Sequence, residues 1–109
     1  MYLVHATLRA RPGSTVPGGL LASVRAQASA DDGLEHAVVH PLGPGAAVVG
    51  MFLRAPRLAD AERAAGLLCR RALAADPALL ELELASCEAP LVGAFYERLL
   101  GGPPGGWPE

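Results

Sequence analysis

Apolar and polar residues alternate from Tyr2 to Ala10, with Val4, Ala6 and Leu8 on one side and His5, Thr7 and Arg9 on the other. A period of two over this length predicts a half-buried strand. The stretch Arg11-Pro12-Gly13-Ser14-Thr15 ends it as a loop, and Pro17 falls where a first helical turn tolerates proline. The period then becomes helical: Leu20, Leu21, Val24 and Ala28 recur on one face, with Arg25, Gln27 and Ser29 turned outward. Asp31-Asp32-Gly33 is expected to close this helix, the glycine being free to take a left-handed cap. Leu34 to Leu42 reads as a second, less regular strand, splitting Leu34, His36, Val38 and His40 from Glu35, Ala37 and Val39. The pattern leaves open which set faces the helices. Pro41 has no N–H to give a neighbour, which favours a sheet edge.

Leu42-Gly43-Pro44-Gly45 predicts a hairpin turn into the most apolar stretch of the chain, Ala46 to Arg54. Its near-unbroken apolar run predicts a buried central strand, with Val49, Met51 and Leu53 on one face and Val48, Gly50, Phe52 and Arg54 on the other. From Leu58 to Ala75 the stripe Leu58, Ala61, Ala65, Leu68 and Ala72, widened by Cys69 and Leu73, predicts a second helix that Asp76-Pro77 stops. Leu79 to Cys87 alternates again, predicting Leu80, Leu82 and Leu84 inward with Glu81 and Glu83 outward. A third helix is expected from Pro90, with Leu91, Phe95 and Leu99 on one side and Tyr96 beside them. The breaker tract from Gly101 to Gly106 and the tail beyond it, including Trp107, are expected to lack order, so residues 1–100 form one domain and 101–109 a flexible tail.

The resulting order, β-α-β-β-α-β, is that of a split βαβ or ferredoxin-like α+β sandwich. It predicts an antiparallel four-stranded sheet of order 4-1-3-2 with both helices on one face. Over residues 2–88 this element order resembles the dimeric α+β-barrel group of ferredoxin-like proteins. That group includes cofactor-free antibiotic-biosynthesis monooxygenases, muconolactone isomerases and many small bacterial proteins of unassigned activity. The open sheet face, with Phe52 and Val48 set among charges, is too apolar to be simply wet and predicts a homodimer packed sheet on sheet; no cofactor and no metal are expected. The resemblance supplies no set of matched catalytic positions, so whether the chain is an enzyme stays open.

Composition narrows the partners. The 109 residues suit one domain, 51% of them are hydrophobic and 18% charged, and the net charge is −2. The basic residues are all arginine and are scattered, which excludes the concentrated basic face that a nucleic-acid partner needs. No segment approaches the ~20 apolar residues of a membrane span. The N-terminus lacks the pattern of a signal peptide, and the expected location is the cytoplasm. The abundance of Ala, Gly, Pro and Arg resembles the coding bias of a high-GC bacterium. Cys69 and Cys87 form no CxxC motif and read as reduced thiols.

On the open sheet face this arrangement gathers His5, Thr7, Arg9, Val48, Phe52, Arg54, Glu81 and Glu83. His5 is the candidate general acid or base, oriented by Glu81 or Glu83, and Arg9 or Arg54 would hold an enolate or carboxylate. Phe52, Arg54, Glu81 and Glu83 are the candidate binding residues. His36 and His40 stand roughly 13 Å apart along their strand, too far to grip one metal ion together. Two other users of this topology fit less well. An RNA-recognition domain needs stacked aromatics on a basic sheet, and the acidic strand opposes it. Pro17-Gly18-Gly19-Leu20 is similar to the Pro-Gly-Leu turn of ACT-type amino-acid-sensing domains, which regulate an attached enzyme. The expected function is therefore a small dimeric accessory protein that binds a small apolar molecule or a partner protein. The alternative is a cofactor-free monooxygenase, isomerase or cyclase acting on an apolar, ring-containing substrate.

Overall fold

The computed structural model describes residues 1–90. Their elements are β1 (Tyr2–Ala10), α1 (Leu20–Gln27), β2 (Leu34–Pro41), β3 (Ala46–Leu53), α2 (Leu58–Ala75) and β4 (Leu82–Glu88), with 3-10 turns at Ala30–Asp32 and Pro77–Leu79. The sheet order is β2-β3-β1-β4, which is 4-1-3-2 counted from the opposite edge. Every neighbouring pair is antiparallel. Two split βαβ units thus interleave, an α+β arrangement compatible with the ferredoxin-like fold. The expected third helix and the tail lie outside the described residues.

One face of the sheet carries the core. Val4, Ala6 and Leu8 of β1 and Ala47, Val49, Met51 and Leu53 of β3 are buried against Leu20 and Val24 of α1 and Ala61, Ala65, Leu68 and Ala72 of α2. The α2 stripe is mostly alanine, with Gly66 also buried, so the helix backbone lies close over the strands. Both helices take part in this single core: α1 lies over β2, and α2 lies over β1, β3 and β4.

Each edge strand carries a bulge that plain alternation misses. In β2, Leu34 faces Leu53 but His36 faces Phe52, so Glu35 is the extra residue. The phase shift puts Leu34 against the core while Ala37 and Val39 also face the helices, leaving His36, Val38 and His40 on the other side. In β4, Leu84 pairs with Leu8 and Ser86 with Thr7, which makes Ala85 the extra residue. Cys87 therefore opposes Ala6 and packs against the core, while Ser86 and Glu88 share the open side. Bulges of this kind are common at sheet edges, where they end or re-aim the pairing.

The expected inward Leu80 is a correction. It is 71% exposed, because the chain first makes a 3-10 turn that buries Leu79 and only then enters β4 at Leu82. The turn is shaped by Pro77 and by Asp76, whose carboxylate accepts from the Ala78 amide at 2.9 Å. Gly33 is left-handed as expected (φ 72°), but it caps the 3-10 turn, since α1 has already ended at Gln27.

Candidate functional site

The second sheet face is covered by no described element. Its rows follow from the register: Phe52 lies between His36 and Leu3, Gly50 between Val38 and His5, and Val48 between His40 and Thr7. On β4, Glu88 stands beside His5, Ser86 beside Thr7 and Glu83 beside Arg9. Leu3, Val38, Val48 and Phe52 are half-buried and form an apolar centre. The His36 and Phe52 rings meet at 6.1 Å with a 38° tilt.

Gly50 shapes this surface. A Cβ there would stand 3.3 Å from Val38 Cγ2 and 3.7 Å from His5 Cδ2, so the imidazole lies across the space that the glycine leaves. Of the expected site residues, the structure brings His5, Arg9, Phe52 and Glu83 to one face. It does not bring them to one point. His5 and Arg9 are four positions apart on β1, roughly 13 Å at strand rise, and the β4 carboxylate in register with His5 is that of Glu88, not Glu81 or Glu83.

Glu81 precedes β4, where its carboxylate pairs with Arg11 at 3.3 Å and its carbonyl accepts from the Arg11 amide at 3.0 Å. Arg54 follows β3 and pairs with Glu35 at 3.1 Å on the bulged edge. Both are rim ion pairs with exposed partners and contribute little to stability. Sequence periodicity left open which way the two β2 histidines face, and Glu88 lies one residue beyond the expected end of the fourth strand; the pairing places all three on this face.

The thiols lie on the helix side. Cys69 is buried in α2, and burial pushes its thiol up to about 12, with Cys87 adding and Arg70 opposing. Cys87 donates to the Glu62 carbonyl at 3.6 Å and fits against the bare Cα of Gly66, 3.8 Å from where a Cβ would stand. Burial, and then the Glu62 carboxylate, raise its thiol as well. Arg70 pulls both thiols the other way, but burial outweighs it, and Arg9 lies on the opposite face of the sheet from Cys87.

A cavity of about 310 Å³ opens at the end of the molecule where α1 begins. It is framed by residues 15–18, Leu20 and Leu21 on one side and by Pro41, Gly43 and Pro44 of the hairpin on the other, with Val39, Ala46 and Ala47 lining the sheet side. None of the expected catalytic or binding residues lines it. The Pro-Gly and Gly-Pro-Gly signals marked both of its walls as turns, but only the folded chain brings them together. No family model matches the chain, and no curated protein or solved structure is significantly similar to it.

Proposed function

We propose that the protein is a small homodimeric binding module, joined through the open face of its sheet, which takes up a small apolar molecule or a partner protein without catalysing a reaction. The observation that carries this reading is the composition of that face. Its centre is Leu3, Val38, Val48 and Phe52, and its two edges are of opposite character: histidines 36 and 40 on β2, Glu83 and Glu88 on β4. A two-fold axis parallel to the strands sets one copy's histidine edge over the other's glutamate edge and lays the apolar centres against each other. That is the self-complementarity a two-fold contact requires, and sheets packed face to face keep their strands nearly aligned. The separation of His5 from both Arg9 and the cavity supports binding over turnover.

Light scattering after size exclusion tests the dimer. The wild type is expected at twice its 11.2 kDa chain mass. Phe52→Glu and Val48→Glu are expected at the single-chain mass with unchanged far-ultraviolet dichroism, because a buried unpaired carboxylate costs several kcal/mol in such a contact. A monomeric wild type, or dimers that survive both substitutions, would refute the proposal.

A further inference from the structure

We infer that the cavity at the start of α1 is a binding site for a small, neutral, apolar molecule about the size of one fused ring system. The inference deepens the binding role proposed above and depends on it only for the claim that a small molecule is bound; the dimer is a separate matter. Its volume, about 310 Å³, falls at the lower end of the range for small-molecule sites. Val16, Leu21 and Val39 are half-buried and present aliphatic surface to it, the buried Leu20 and Ala47 close its floor, and no charged residue is among its lining. A charged ligand would lose its hydration without a compensating partner. A neutral one would gain dispersion contacts on several sides.

The walls are also built to hold their shape. Pro17, Pro41 and Pro44 restrict the backbone around the opening. Gly43 takes a positive φ of 80°, and the hairpin is closed by the Leu42 amide on the Ala46 carbonyl at 2.8 Å. The Val16 amide donates to the Pro44 carbonyl at 2.9 Å, fastening the loop before α1 to the hairpin, and the Ala10 amide at the end of β1 donates to the Gly45 carbonyl at 2.8 Å. A cavity whose two sides are tied together in this way needs little reordering to receive a ligand.

The test is a methyl and amide NMR titration of the full chain with indole, and in parallel with indole-3-acetate, which adds a charge to the same ring. Indole is expected to give saturable shifts centred on Val16, Leu20, Val39 and Ala47, with indole-3-acetate binding at least about tenfold more weakly. Ala47→Phe, which fills the sheet side of the cavity, is expected to abolish these shifts while keeping the wild-type oligomeric mass. Leu21→Trp, at a half-buried position, provides the same readout should the first variant fail to fold. Val48→Glu is expected to leave indole binding unchanged, so that loss of the dimer and loss of the site are told apart. Shifts that do not saturate, that map to the open face, or that persist in both filled variants would overturn the inference.

Discussion

A Cβ on Gly33 would run into the Arg54 carbonyl, and the residue already sits at φ 72°. The same glycine carbonyl accepts from the Arg54 amide at 2.8 Å, so backbone contacts on both sides hold it in place. Left-handed backbone costs a residue with a Cβ roughly 1–2 kcal/mol, and the collision adds to that. Gly33→Ala is therefore expected to lower stability by at least about 2 kcal/mol, read as a shift in the urea midpoint; an unchanged midpoint would contradict this geometry. Just before it, Asp32 accepts from the Ser29 amide at 2.8 Å and from Arg71 of α2 at 2.6 Å. Burial alone would raise this carboxyl, but the Ser29 amide, Arg71 and the Ser29 hydroxyl outweigh it and hold it below its ordinary 3.8. A depressed folded value means that the contribution is complete above the unfolded value and is lost as pH falls through the lower, folded one. Asp32→Asn should accordingly weaken the fold at neutral pH and flatten the acid limb of urea stability below about pH 4. Part of that limb should persist through Asp76, which the Ser23 hydroxyl and the Ala78 amide also hold low.

Among the elements, the two central strands and α2 were legible, except that Leu58, expected to begin the buried α2 stripe, is 38% exposed in the helix's first turn, and burial starts at Ala61. Uninterrupted alternation in β1 and the apolar run of β3 leave only one phase that buries Val4, Leu8, Val49 and Met51 together. The α2 stripe was legible because helical spacing and its flanking breakers agree. The edge strands were not, since an unpaired residue at Glu35 or Ala85 costs little where one side has no neighbouring strand. Pattern reading could not locate those insertions, so Cys87, Glu88 and His36 were placed only by the pairing. The β4 bulge has a chemical consequence that can be measured. With Cys69 buried and Cys87 half-buried on the α2 side, iodoacetamide at mildly alkaline pH is expected to modify Cys69 no faster than the native protein opens, and Cys87 more slowly than in denaturant. Ordinary thiol rates should return in denaturant; native Cys87 labelled as fast as in denaturant would show that its strand lacks the bulge.

For the whole molecule, the sheet acts as a partition. The proposed dimer contact lies on one side and the proposed ligand cavity on the other, so substitutions at Phe52 and Ala47 are expected to act independently, as well-separated sites do. The amino-acid pattern by itself determined the element order, the strands that occupy the centre and the face that the core uses. Those follow from period and from the burial of apolar side chains, which are local properties. Only the tertiary structure decided the phase of the edge strands, the distance between His5 and Arg9, and the meeting of the loop before α1 with the β2–β3 turn. Each of these depends on contacts between residues distant in the chain, where a single inserted residue reverses which side chains face inward.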